Sequence, residues 1–446
     1  RKFVTLEMTK EHLKNLNLPI LLTTIALLAI GLLFIWSGSY VLSGPDGESI
    51  HLRRAQKQAV WIAVGMFAMV MVLWPHYKKI IENAYVIYGL IVSLLVVLMV
   101  LSAMRMVPVT NGARRWIPLG FFNLQPSELM KVALILCLAQ YLQFRSSYRT
   151  WKGLIIPFAL TFGPMVLIMK QPDLGTSLLF VPVLFSMLFA AGARLRHLLL
   201  ITGMVFASAP LMYFFVLRPY QRSRILAFLH QSDVNSPMAM NELYQLIQSK
   251  LAIGSGGWMG NGWQQGAMNR LNFLPVRTTD FIFAVIGEEM GFIGLMVVLA
   301  LYFFLFMSAF AIAERTREPS GRLVVIGSTV LLATQLYINT SMTIGLMPTT
   351  GLTLPFVSYG GSSLVTTFVL IGLILNIGLR QTRIVASDDF EFQDDILRRR
   401  KQAEMKRWIT LFDFQKKIGL PQAQRAKGWL RKMAAKCREM FMKRET

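Results

Sequence analysis

Ten stretches of this chain are apolar for long enough to cross a bilayer: 18–37, 56–74, 83–104, 127–144, 153–169, 173–192, 197–217, 281–312, 322–344 and 363–379. A membrane-spanning helix needs about 20 predominantly apolar residues. In hydrocarbon each backbone N–H and C=O must be satisfied inside the protein, which leaves helices and closed barrels as the only spanning structures. Continuous runs of this length point to the helix. The expected fold is all-α: a polytopic membrane protein with ten transmembrane helices. Composition agrees, at 54% hydrophobic, 15% charged and a mean hydropathy of +0.50, well away from soluble averages. The first run is too long for a cleaved leader and no small-residue cleavage site follows it, so it is expected to stay as a span. Only Lys170-Gln171-Pro172-Asp173 separate the fifth and sixth runs, which implies a tight helical hairpin.

Ten spans place both termini on one side. Lys78/Lys79, Arg145/Arg149/Lys152, Arg194/Arg196 and Arg315/Arg317/Arg322 fall on the face shared with the N-terminus, and excess Lys and Arg marks the cytoplasmic face. The expected organisation is a cytoplasmic segment 1–17, a membrane domain 18–380 and a basic cytoplasmic tail 381–446. Outer loops cover 38–55, 105–126, 218–280 and 345–362. With 46 Lys+Arg against 23 Asp+Glu, the expected partners are membrane lipids and no nucleic acid. In the tail, stretches around Trp408 and Trp429 have the pattern of basic amphipathic helices on an anionic leaflet. Cys137 lies in an apolar run and Cys437 in the tail, so no disulfide is expected. The five His residues lack ligand spacing, so no structural metal is expected.

The outer face also carries positive charge. Arg105, Arg114 and Arg115 lie in one loop, and Arg218, Arg222, Arg224, Lys250, Arg270 and Arg277 in the longest. Snorkelling explains residues such as Arg105 and Arg218. A cluster on this face also suits an anion such as a phosphorylated lipid headgroup. The large loop 218–280 contains NELYQLIQSKLAI, whose apolar residues recur at helical spacing, expected as an amphipathic helix on the membrane. GSGGWMGNGWQQG follows it, readable as a flexible turn or a phosphate cradle. The last outer loop, LMPTTGLTLPFVSYGGSS, is too rich in Gly and Pro for a regular helix; it is either packed structure or a cavity wall.

Ionisable residues inside spans are expensive and should face the bundle interior. Glu128 and Lys131 are spaced i, i+3 and are expected to pair. Asp173 is expected in a structural ion pair too, and Glu288 and Glu289 sit two turns into the eighth span. Asp280 ends the polar segment before that span. On residue type alone a helix cap is the stronger reading; the surrounding outer-face charge favours chemistry.

Five stretches carry a resemblance: NGARRWIPLGFFNLQPSELMK (111–131), QPDLGTSLLF (171–180), IQSKLAIGSGGWMGNGW (247–263), LPVRTTDFIFAVIGEEMGFIG (274–294) and PTTGLTLPFVSYGGSS (348–363). In them the chain resembles the SEDS family (shape, elongation, division and sporulation), and IQSKLAIGSGG and QPSEL favour its RodA-like branch. The resemblance implies a peptidoglycan glycosyltransferase of the bacterial cytoplasmic (inner) membrane. It would polymerise lipid II on the outer face during cell elongation, with a class B penicillin-binding protein as transpeptidase partner. Asp280 matches the family's essential carboxylate, and Arg115 and Trp116 its functional Arg-Trp. The chain departs from the family at Val276 and Thr278, where more polar residues are usual, and in its long basic tail.

Glycan polymerisation needs a sugar hydroxyl to attack an anomeric carbon that carries a polyprenyl pyrophosphate. A positioned carboxylate is the natural base for an alcohol. Pyrophosphate already leaves readily and needs charge neutralisation rather than a second carboxylic acid. One Asp and several basic groups fit direct, inverting displacement: Asp280 as base, with Arg115, Lys250 and Arg277 at the phosphates. A divalent cation (Mg or Mn) could share that neutralisation, although no ligand cluster demands one. The competing class is a lipid II flippase, which suits ten spans with intramembrane charge; a scaffold for partner helices would leave Asp280 dispensable.

Overall fold

The computed structural model describes residues 17–39, 47–107, 115–118, 123–143, 150–215, the positions 222, 225, 226 and 228, and then 244–271, 273–274 and 276–380. The chain divides into two units, Arg1–Val385 and Ala386–Thr446, and all described residues lie in the first. The segment 1–16, Arg114, Arg218, Arg224, Arg145, Arg149 and the whole tail from 381, with its expected amphipathic helices, lie outside the described residues.

The described chain is helical. The elements are α1 (Leu18–Ser39), α2 (Gly47–Leu73), α3 (Tyr77–Glu82), α4 (Ala84–Ala103), β1 (Ile117–Pro118), β2 (Asn123–Leu124), α5 (Pro126–Leu142), α6 (Trp151–Lys170) and α7 (Leu174–Ala191). They continue as α8 (Leu195–Phe215), α9 (Tyr244–Gly256), α10 (Ala267–Arg270), α11 (Ile282–Arg315), α12 (Pro319–Thr343) and α13 (Gly361–Leu379). Among the described residues, eight helices are long and apolar enough to cross a membrane. The helices at the two other expected spans, α5 and α8, are not among them. α5 has only 17 residues and carries Glu128 and Lys131, while the apolar stretch of α8 is Leu195–Val205.

Local chemistry sets many boundaries. Pro126 and Pro319 open α5 and α12 in the first turn, where a missing N–H costs nothing. Thr150 Oγ1 caps α6 by accepting from Gly153 N at 3.3 Å, and Asp173 Oδ1 caps α7 by accepting from Thr176 N at 3.3 Å. Gly192 ends α7 in the left-handed region. α6 and α7 form the expected tight hairpin, in contact across the turn at 171–173.

Three features go beyond what the hydrophobic runs implied. Besides its helices the chain has a two-stranded antiparallel ribbon, Ile117 opposite Leu124 and Pro118 opposite Asn123. Helix α2 begins nine residues before the expected span, because polar residues extend a helix that hydropathy cannot follow. The eighth span is broken: Gly291 adopts φ 66, ψ −162, dividing α11 into a half at 282–290, almost wholly buried, and a half at 292–315 with one exposed apolar face.

Burial sorts the spans into shells. About 78% of the α13 span window is buried, against 11% for α2 and α4. α5 is buried nearly all round, so it, α12 and α13 form the centre. The outer helix α2 packs along α13 because small residues alternate with large ones. Gly65 sits under the Phe368 ring, Gly361 under the Trp61 indole and Gly372 against Met69. Apolar lipid supplies little hydrophobic drive between helices, so such close contacts hold them together. A Cβ at Gly65 would overlap Phe368. We therefore expect Gly65→Ala to destabilise the protein by about 1–3 kcal/mol, read as a lowered melting temperature in detergent, with Gly89→Ala, which meets nothing within 4 Å, as the neutral control.

Candidate active site

Asp280 closes the turn before α11. Its N–H donates to Val276 O at 3.1 Å and the residue is half-buried. The N-cap position of α11 falls on Phe281 rather than on Asp280. Three successive carbonyls of this turn are each bonded by a distant part of the chain. Thr278 O accepts from Tyr359 N at 2.9 Å, Thr279 O from Ser358 Oγ at 2.5 Å, and Asp280 O from Asn339 Nδ2 at 2.8 Å. The carboxylate borders Gly351, where an added Cβ would stand 3.6 Å from Oδ2.

The segment 345–360 is irregular but densely held. Gln335 Nε2 donates to Thr353 O at 2.7 Å, Asn339 Nδ2 to Leu352 O at 2.7 Å, and the fully buried Tyr302 hydroxyl to Pro355 O. Leu354 N donates to Ser358 Oγ at 2.8 Å. On the other side Gly175 lies under this segment, with room for no Cβ: one would meet Thr350 O at 2.8 Å. Irregular backbone at this density is what a packed wall beside a site requires.

Gly175 belongs to the start of α7, and two residues earlier stands Asp173. Its carboxylate accepts from Gln125 Nε2 at 3.0 Å, Ser127 Oγ at 3.1 Å and Thr176 Oγ1 at 3.0 Å. Arg115 Nη1 lies 3.6 Å from Asp173 Oδ1, and Trp116, half-buried, leads into β1. Ser362 Oγ donates to Asn123 O at 2.9 Å, tying the ribbon to the start of α13. The Asp280 turn, the Arg115 ribbon, the α7 N-terminus and the 345–363 segment therefore meet at one end of the bundle. On α5, Lys131 Nζ and Glu128 Oε1 pair at 2.7 Å, both buried.

The other candidates are placed differently. Lys250 is exposed on α9, beside Ser249, whose hydroxyl donates to Thr343 O at 2.8 Å. Arg277 is buried, and its Nε donates to Gly38 O at the end of α1. Burial, with Arg54 nearby, pulls its guanidinium down to about 10, still charged at neutral pH. Arg105 and Arg270 are exposed. Helix α9 is present, and its buried face packs on α11 and α12. In the glycine loop after it, Asn261 N and Gly262 N donate to Glu288 O and Glu289 O at 2.9 and 3.1 Å, so these two N–H groups are used inside the protein. Glu288 accepts from Met268 N at 2.7 Å and Asn269 N at 3.2 Å. Glu289 Oε1 accepts from Ser37 Oγ at 2.5 Å and Asn269 Nδ2 at 3.0 Å. Both glutamates are buried clasps that bind the loop and α1 to α11. Among the described residues no group of three or more His, Cys, Asp or Glu could hold a metal ion.

Sequence reasoning missed Gln335, Asn339, Ser358 and Tyr302. A signal existed: Gln335 and Asn339 are spaced i, i+4 inside an apolar helix and so share one face, and an uncharged amide there needs a partner as a charge does.

Comparison with known proteins finds a family and relatives over most of the chain. Residues 18–383 match the family model described as cell cycle protein, FtsW/RodA/SpoVE. Over 364 residues the chain is 34% identical to the peptidoglycan glycosyltransferase MrdB of Escherichia coli K12, covering 81% of this chain and 93% of that protein. It is 35% identical over 376 residues to the probable peptidoglycan glycosyltransferase FtsW of Geobacter metallireducens, covering 83% and 96%. Among solved structures, a chain from a peptidoglycan synthase complex that coordinates polymerization and crosslinking superposes with a TM-score of 0.67 at 30% identity, covering 82% of this chain and 98% of that one. The rod shape determining protein RodA of Thermus thermophilus gives 0.59 at 29% identity, covering 82% and 97%.

The Glu128–Lys131 pair is taken out of water on both sides, so removing one partner strands the other. Lys131→Met should cost about 3–5 kcal/mol, whereas the double change Glu128→Gln with Lys131→Met should recover most of that loss. Melting temperatures of the purified variants in detergent decide it.

Proposed function

We propose, on the premise that the chain belongs to the FtsW/RodA/SpoVE family of cell cycle proteins, that it is a peptidoglycan glycosyltransferase polymerising lipid II. What carries the reading is the meeting of the Asp280 turn and the Arg115 ribbon against the 345–363 segment. In this scheme Asp280 removes the proton from the acceptor sugar hydroxyl. That oxygen bonds to the donor's anomeric carbon as the bond to pyrophosphate oxygen breaks. The electron pair leaves with the polyprenyl pyrophosphate, and the anomeric centre inverts. Arg115 and Lys250 neutralise the phosphates and Trp116 packs on a sugar or the lipid edge. Arg277, held by Gly38 O, contributes positive potential behind Asp280 rather than a contact. Mg or Mn brought by the pyrophosphate is compatible with this scheme, and no step depends on it.

The topology that suits this chemistry has ten spans, counting α5 and α8, with both termini cytoplasmic and the site on the outer face of the inner membrane. The donor's polyprenyl chain cannot sit in water, so it leaves sideways between helices. A class B penicillin-binding protein would crosslink the product. The stretches QPSEL and IQSKLAIGSGG support a role in elongation and cell shape. The flippase reading has less support, because the Arg115–Asp173 pair lies at one end of the bundle and Glu128–Lys131 is already paired.

A general base of this kind contributes about 10²–10⁴-fold. Asp280→Asn, purified with its transpeptidase partner and supplied with lipid II, should lose glycan synthesis by that factor while keeping the wild-type melting temperature. Polymer at the wild-type rate removes the general base; lipid II scrambling in liposomes without polymer supports the flippase.

A further inference from the structure

Asn339 lies on the inner helix α12 and is fully buried. Its side-chain nitrogen donates twice, to Asp280 O at 2.8 Å and to Leu352 O at 2.7 Å. A primary amide has two N–H donors, and both are used on backbone oxygens. This also fixes its orientation: turned over, the amide would set its own oxygen against two carbonyls. The two tethered residues are far apart in sequence, yet each adjoins the same small space. Asp280 carries the carboxylate. Leu352 follows Gly351, where an added Cβ would stand 3.6 Å from Asp280 Oδ2 and whose φ is +74.

We infer that Asn339 is a positioning residue for the glycosyl transfer, a staple that sets the Asp280 backbone and the Gly351 wall at a constant separation. The inference rests on Asp280 being the base. Asn339 touches neither substrate nor proton; it acts through the atoms on either side of the carboxylate. Its support is a rigid one, since α12 is an inner helix braced by α5, α7 and α11, and sites built on rigid elements hold reacting groups in place. The neighbouring bonds from Ser358 to Thr279 O and from Tyr359 N to Thr278 O fix the turn from one side only. Without Asn339 the carbonyl of Asp280 loses this hydrogen bond to the inner helix. A displacement of about 1 Å at a reacting group can cost on the order of 10²-fold in rate.

The test uses the full chain with its transpeptidase partner and lipid II, measuring kcat, KM and melting temperature. The variants are Asn339→Ala, Asn339→Asp and Asp280→Asn. Asn339→Asp keeps shape and volume but sets a carboxylate against two carbonyl oxygens. Positioning predicts that both Asn339 variants lose about 10²-fold in kcat per folded molecule, with KM within about twofold because no substrate contact is removed. An unchanged kcat per folded molecule in either variant overturns the inference, whatever the melting temperature. A loss confined to KM also overturns it, as does failure of both variants to yield folded protein, which would assign Asn339 to folding. If Asp280→Asn is fully active, the base itself is lost and this inference with it. If Asp280→Asn is inactive while the Asn339 variants turn over normally, only the staple is wrong.

Discussion

Inside a membrane protein, a stretch of chain can leave the helix only where other groups take over its backbone hydrogen bonds. The candidate site rests on that constraint. The turn at 276–281 and the segment at 345–360 are both irregular, and neither could stand alone at the end of a hydrophobic bundle. They are stable because they satisfy each other, and because Gln335, Asn339 and Tyr302 reach out from regular helices to carbonyls of the segment. Each such bond is modest, on the order of 1 kcal/mol net, but an orphaned buried carbonyl costs about 1–3 kcal/mol. The arrangement therefore tends to hold as a set.

The same economy explains the second polar layer. Two adjacent buried glutamates would be intolerable in a uniform apolar bundle. Glu288 and Glu289 are accommodated because the Met268 and Asn269 N–H groups of α10 and the side chains of Ser37 and Asn269 donate to their carboxylates, while glycine-loop N–H groups bond their backbone oxygens. Gly256, Gly260 and Gly266 allow the approach, since a Cβ at Gly266 would stand 2.5 Å from the Glu288 carboxyl carbon. Charge, loop and helix are thus one packing unit, and the loop's glycines permit the tight fit.

Hydrophobic length made the spans legible, and their ends agree with the helices to within a few residues at most positions. The exceptions have physical causes. The polar start of α2 is helical without being apolar, and the break at Gly291 has apolar residues on both sides, so hydropathy runs through it unchanged. Charged site residues were legible because a charge in hydrocarbon demands a reason. Glu128 and Lys131 meet as their spacing implies, and Asp173 has the partners that its buried position requires. The buried amide of Asn339 announced that it needs a partner but not which one, and Ser358 announced nothing, because the groups they bind are backbone atoms that no residue type reveals. Arg277 was legible as a cation in the turn before the eighth span, but its attachment to Gly38 depends on how α1 returns to that turn.

The break in α11 divides its labour. The half at 292–315 is about 36 Å long at 1.5 Å per residue, more than the roughly 30 Å of hydrocarbon in a bilayer. It is long enough to cross unaided, which leaves the buried half-helix at 282–290 to packing: Gly256 of α9 and Gly260 of the glycine loop press on its backbone, and Ser37 of α1 donates to Glu289. One helix thus serves as a crossing on one side of Gly291 and as a core element on the other.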